Sequence, residues 1–176
     1  MNGFTVAILF TLILNQMVIF DFAENSSLEN WYIVNDDVMG GVSRSEIFIN
    51  ENGNAVFKGS VSLENNGGFC SVRYGLEKVL LTDSEKITLH IKGDGKRYQF
   101  RIKANRRDNH SYISYFETTG NWQTIEIPLN EMYPVFRGRK LDMPNFSHNS
   151  MEEIAFLIGN KKEEKFQIEI DKIELK

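Results

Sequence analysis

Apolar and polar residues alternate with a period of two along most of this chain. Val18, Phe20 and Phe22 alternate with Ile19 and Asp21. Between 86 and 92, Ile87, Leu89 and Ile91 share one face; between 97 and 103, Tyr98, Phe100 and Ile102 do the same. The opposite face of that second run carries Arg97, Gln99, Arg101 and Lys103. Successive side chains of a strand point to opposite faces, so each run predicts a half-buried strand. Ile154, Phe156 and Ile158 repeat the pattern, and Phe166, Ile168 and Ile170 close it.

Turn signals punctuate these runs. Residues 45–50 and 54–62 form a hairpin across Glu51-Asn52-Gly53, since Asn-Gly supplies the positive φ of tight hairpin turns. Ile47 and Ile49 face one way there, and Ala55, Phe57, Gly59 and Val61 share a face of the partner strand. Gly93-Asp94-Gly95 separates the two runs at 86–103, and Thr118-Thr119-Gly120-Asn121 joins 111–117 to 122–127. Pro128 ends that ladder, having no amide hydrogen to donate. Ser26 and Glu29 have the spacing of a capping box, so one helical turn is expected at 26–30. Residues 129–150 are the longest stretch without alternation, and a loop of that length is often functional or covers a core edge. No segment sustains an apolar period of 3.6 over three turns. The prediction is an all-β domain, a sandwich or barrel of short strands, over residues 17–176.

Residues 4–14 are apolar except for Thr5 and Thr11. They lack a basic n-region and a small-residue cleavage site, and are short of the ~20 apolar residues of a membrane span. Residues 1–16 read as a dispensable leader or an upstream start ahead of Met17, or as an uncleaved export signal or tether acting through 4–14. The first reading places the protein in the cytoplasm; no stable membrane span is expected.

Two polar stretches stand out. Asn35-Asp36-Asp37-Val38-Met39-Gly40-Gly41-Val42-Ser43 and Leu63-Glu64-Asn65-Asn66-Gly67-Gly68-Phe69 each set a pair of Asn or Asp side chains shortly before a Gly-Gly, then return to an apolar run. Both read as tight corners between strands, brought to one end of the core. Asp36 and Asp37 are candidates for a hard cation or sugar hydroxyls; alternatively, one caps the corner and the other is solvated. Asn65 and Asn66 suit a glycan or a peptide backbone, or form the left-handed turn before Gly67. Arg73 and Arg101 suit a carboxylate or phosphate, or pair internally with Asp36 or Asp37. Trp31 and Trp122 sit in alternating strands and are expected in the core, with stacking on a sugar ring as the alternative.

Composition narrows the chemistry. A formal charge of −4 over 176 residues argues against a nucleic-acid binder. The single Cys70 excludes an internal disulfide and reads as a small buried residue. His90, His110 and His148 are far apart in sequence and match no metal-binding spacing. No cofactor or metal is expected. No nucleophile elbow, phosphate loop or dinucleotide fingerprint occurs.

The first corner, continued from Trp31-x-x-Val34, with Phe57-x-Gly59, the second corner and Arg73, resembles the complex I intermediate-associated protein 30 family. Gly93-Asp94-Gly95, Tyr98, Trp122 and Phe136-Arg137-Gly138 follow in the order that family shows, and the resemblance spans 17–176. It implies a galactose-binding-domain-like β-sandwich of jelly-roll type and the short, bacterial-type form of the family. The function it implies is a non-catalytic binding module, chaperone-like or assembly-factor-like, meeting a protein partner through Asn35, Asp36, Asp37, Asn65, Asn66, Arg73 and Arg101. A carbohydrate-binding module is the alternative, and a hydrolase using Asp36, Asp37 or Glu64 a third reading.

Overall fold

The computed structural model describes residues 17–23, 27–81 and 86–176. The leader region 1–16 and the start of the turn expected at 26–30 lie outside the described residues. Among the described residues thirteen strands form two antiparallel sheets. The first sheet runs β3 (Arg44–Ile49), β4 (Ala55–Val61), β13 (Glu164–Leu175), β6 (Lys86–Lys92), β9 (Trp122–Pro128), with β1 (Met17–Asp21) also on β13. The second runs β11 (Arg139–Lys140), β10 (Tyr133–Phe136), β8 (Ser111–Glu117), β7 (Arg97–Lys103), β12 (Ser150–Ile158), β5 (Cys70–Leu80), β2 (Trp31–Ile33).

The alternation read from the sequence decides which face is buried. Ile87, Leu89, Ile91, Phe57, Ile168 and Ile170 are all 0% exposed on the first sheet. Tyr98, Phe100, Ile154, Phe156 and Ile158 meet them from the second sheet, equally buried. Hairpin β3–β4 has the expected register, Ile47 opposite Phe57 and Ile49 opposite Ala55. Phe20, Phe22, Trp31 and Tyr74 close one end of the core, with the Trp31 and Tyr74 rings stacked at 4.9 Å. Such aromatic pairs add to area burial, which at about 25 cal/mol per Å² is the main favourable term in the fold.

Two expectations are corrected. Trp122 is not in the core: it begins edge strand β9 opposite Lys92 and is 48% exposed. Residues 129–150 are not wholly irregular. Leu129–Glu131 forms a 3-10 turn, and β10 and β11 form a small hairpin with Val135 opposite Lys140. Arg137 and Gly138 turn that hairpin with φ of 49° and 75°, the pair of positive values a two-residue turn requires. β10 is four residues long and contains Pro134, which conceals it from a pattern reading.

Phe156 packs between the Phe100 and Phe116 rings at the centre of the second sheet, at 5.3 and 6.3 Å. Phe156→Ala is therefore expected to cost about 3–5 kcal/mol in urea unfolding; a loss under about 1 kcal/mol would place the centre of the core elsewhere.

Candidate functional site

The two corners meet through one carboxylate. Asp36 opens a 3-10 turn, Asp36–Met39, and is 1% exposed. Its Oδ1 accepts the Ser43 amide at 3.0 Å. Its Oδ2 accepts the Gly68 amide at 2.6 Å, the Phe69 amide at 3.2 Å and a very short bond from the Ser43 hydroxyl. Ser43 Oγ in turn accepts the Ser62 amide at 2.9 Å. The main chains join as well: Asp36 N donates to the Phe69 carbonyl at 3.3 Å, and Val34 N to that of Ser71 at 2.9 Å.

The double glycines follow from this carboxylate. In each pair one residue turns the chain and the other makes room. Gly40 and Gly68 have φ of 89° and 137°, values that side-chain-bearing residues rarely adopt. A Cβ on Gly41 would collide with the Asp36 carboxylate, and one on Gly67 would lie 2.6 Å from its Oδ2. Asn65 and Asn66 take left-handed φ of 54° and 60° ahead of Gly67.

The remaining sequence-derived candidates divide by exposure. Asn35 is 6% exposed and accepts the Ser45 hydroxyl at 2.7 Å. Asp37, Asn65 and Asn66 are exposed at the turn tips. Beside them stand Val38, Met39 and Leu63, 68%, 59% and 42% exposed. The sequence reading did not single out these apolar tips, although two lie inside the first motif.

Arg73 and Arg101 are elsewhere. Pairing with Asp36 or Asp37 is not found; Asp36 is saturated by hydroxyl and amide donors instead. Both arginines stand on the outer face of the second sheet, in a cross-strand row in which Ala155 of β12 separates Arg101 of β7 from Arg73 of β5. Arg73 reaches Glu153 at 3.4 Å, and the Tyr32 hydroxyl donates to the same carboxylate at 2.7 Å. Burial and then Glu153 push the Tyr32 phenol up to about 12. Among the described residues Arg101 has no hydrogen-bond or ion-pair partner, and the Nε atoms of both arginines are buried and unbonded. Burial, then the neighbouring Arg73 charge, pushes Arg101 down to about 10. Glu153 was invisible from sequence, 80 residues from its partner.

Cys70 is fully buried and its thiol pushed up to about 12, chiefly by burial. His110 and His148 come together, both edge-on to Tyr112, whose hydroxyl lies 2.9 Å from His148 Nε2. Among the described residues no three His, Cys, Asp or Glu side chains are grouped to hold a metal ion. An open depression of about 740 Å³ on the first sheet, beside Arg44, Lys58, Asp94 and Phe166, contains none of the candidate binding residues Asn35, Asp36, Asp37, Asn65, Asn66, Arg73 and Arg101.

Two antiparallel sheets around one apolar core, with a long strand shared along its length, define a galactose-binding-domain-like jelly-roll β-sandwich. Solved structures of that class resemble it. The family 11 carbohydrate-binding module of the cellulosomal cellulase Lic26A-Cel5E of Clostridium thermocellum superposes with a TM-score of 0.69 at 20% identity, covering 91% of this chain and 93% of that one. The Clostridium thermocellum family 11 module in complex with a β-1,3-1,4-mixed-linked tetrasaccharide gives 0.67, also at 20% identity, over 91% and 94%. At this identity the likeness is one of fold. The sequence is more specific: residues 20–170 match the model of the complex I intermediate-associated protein 30 family, and the chain belongs to that family. The mitochondrial complex I intermediate-associated protein 30 of Mus musculus is 27% identical over 179 aligned positions, covering 88% of this chain. The chain spans about half the length of that relative, 54% of it.

Asp36 sets a pH dependence. Burial acts to raise its pKa, but the bonds from the Ser43 hydroxyl and from the Gly68, Phe69 and Ser43 amides outweigh it and hold the group below its ordinary 3.8. The folded pKa is thus the lower one. The stabilisation is complete above the unfolded value and is lost as pH falls through the folded value. Asp36→Asn, which places an amide donor against amide donors, is expected to cost about 3 kcal/mol or more at pH 7. It should also flatten the acid loss of stability below about pH 4. Urea midpoints of both proteins at pH 7 and pH 3 check this, and equal acid slopes would refute it.

Proposed function

We propose that this chain is a non-catalytic binding module that holds a protein partner, in the manner of an assembly factor. The observation that carries this reading is the state of the paired corners. Asp36 and Asn35 are consumed internally, and Val38, Met39 and Leu63 stand exposed at the tips beside Asp37, Asn65 and Asn66. Asp36 has every strong acceptor position occupied and cannot act as a general base without dismantling the corner. That removes the best-placed member of the hydrolase set Asp36, Asp37 and Glu64. Val38 and Met39 remain, on a turn fixed from beneath by four hydrogen bonds. Exposed apolar side chains on a pre-ordered turn lose little conformational entropy on burial, which suits a protein surface. Membership of a family named for association with complex I intermediates supports a protein partner.

A second reading is a carbohydrate-binding module. It is favoured by Tyr32 and Tyr115, 42% and 41% exposed on the outer face of the second sheet, since exposed aromatic rings can stack on pyranose faces. The solved neighbours named above include a module in complex with a tetrasaccharide.

The double variant Val38→Asp/Met39→Asp is expected to unfold within about 0.5 kcal/mol of wild type, because neither side chain is buried. It should lose the proteins that wild type captures from its native source. An unchanged capture profile would move the contact away from these turns. Calorimetry with a mixed-linkage tetrasaccharide separates the second reading: a flat response is expected, and saturable heat would favour the carbohydrate.

A further inference from the structure

The outer face of the second sheet holds a cationic row of which the fold itself pairs only the Arg73 end, with Glu153. Arg101, Ala155 and Arg73 are in register on adjacent strands, which puts the two arginine Cα atoms about 10 Å apart with a methyl group between them. Lys103 stands two residues along β7, and its Nζ donates to the Asp108 carbonyl at 2.9 Å rather than to a carboxylate. Glu153, on β12 opposite Lys103, is the carboxylate that Arg73 and the Tyr32 hydroxyl share. Glu117 lies at the far end, opposite Arg97. A chain with formal charge −4 thus gathers cations over one sheet face.

We propose that the row formed by Arg73 and Arg101 over Ala155 binds the carboxylates of an acidic segment of a protein partner. This rests on the reading of the chain as a module for a protein partner and names a chemistry for it. Three observations support it. Arg101 lacks any hydrogen-bond or ion-pair partner among the described residues, and its Nε is buried with the donor unused; burying such a donor has a cost that a bidentate oxyanion offsets. Burial, and then the second guanidinium beside it, lowers the proton affinity of Arg101, and a carboxylate set between the two relieves that repulsion. Two of the nearby aromatic rings carry further cations: the Arg97 guanidinium lies 4.5 Å from the centre of the Tyr115 ring, and Lys140 Nζ lies 5.0 Å from that of Tyr133. These cations extend the positive field for an acidic chain.

The test is a titration of the whole protein, followed through the arginine side-chain Nε–H resonances. Acetylated, amidated hexaglutamate is the probe, with hexaglutamine, inorganic phosphate and trigalacturonate as comparisons. Hexaglutamate is expected to move the Arg73 and Arg101 signals in a salt-sensitive way, and hexaglutamine to leave them in place. Arg101→Gln should bind hexaglutamate about tenfold more weakly. Its thermal midpoint should equal or exceed that of wild type, because no internal bond is lost. Silence toward hexaglutamate, or equal binding by Arg101→Gln, overturns the proposal. So does a response confined to trigalacturonate or phosphate, which would make the row a glycan or small-anion site. A lowered midpoint with unchanged peptide binding overturns it too, showing a structural arginine. Capture of proteins from the native source separates this from the broader reading. If wild type and Arg73→Gln/Arg101→Gln capture the same proteins, the partner stands and this row is not its contact. If wild type captures none, the protein-partner reading itself fails.

Discussion

One buried carboxylate organises this end of the molecule. Asp36 accepts four hydrogen bonds from Ser43, Gly68 and Phe69. Transferring an ionised carboxylate out of water costs several kcal/mol even after relaxation. Hydrogen bonds to a charged acceptor each contribute about 1.5–3 kcal/mol, so four of them outweigh that cost and leave a net hold between segments more than 30 residues apart in sequence. Two of the donors are backbone amides at the start of β5, where the chain leaves its turn and no ladder partner is available. Without Asp36 they would be buried donors with nothing to meet. The carboxylate therefore does for this corner what a capping side chain does for a helix start.

This constraint propagates outward into sequence. Gly41 and Gly67 are required because the carboxylate occupies the volume of a Cβ; Gly40 and Gly68 are required because the chain must reverse on either side of it. Asn65 and Asn66 follow from the same reversal, since Asn tolerates the left-handed region better than other side-chain-bearing residues. A motif with the density of a ligand site is thus largely accounted for by internal satisfaction. What it fixes toward the outside is the position of Val38, Met39 and Leu63, exposed beside Asp37, Asn65 and Asn66.

The legible part of the fold was the part governed by period two. Strands 86–92, 97–103, 154–158 and 166–170 were readable because each buries one face, and the face they bury is the one their alternation implies. The hairpin at 133–140 was not, because a four-residue strand with Pro134 offers no period to detect. Trp122 was misplaced for a related reason: alternation shows that a residue belongs to a strand but not whether that strand is an edge, and β9 is one. The corners were legible as corners, since Gly-Gly after Asn or Asp is local chemistry. Their internal wiring was not. Ser43 lay in the motif without any mark that its hydroxyl would reach back seven residues to Asp36. Arg73 and Arg101 were assigned the wrong neighbours because sheet order, which sets β12 with Glu153 and Ala155 between them, is a long-range property of the chain.

The contrast between Asp36 and Arg101 gives a physical criterion for sorting charged residues in this sandwich. Both carry charge into poorly solvated surroundings. Asp36 is surrounded by donors, its pKa lies on the charged side of its ordinary value, and every strong position on it is filled; such a group stabilises a shape. Arg101 has its pKa moved away from the charged side by burial and by a like charge, and its Nε donor is buried and unmet. That unmet donor, in register with Arg73 across the small Ala155, is what the proposal of a carboxylate contact rests on. The same test separates Tyr32, whose hydroxyl is committed to Glu153, from the apolar corner tips, which have no internal commitment at all. Applied across the molecule, it leaves two places where the fold presents more than it needs for itself: the paired turns at one end, and the arginine row on the outer face of the second sheet.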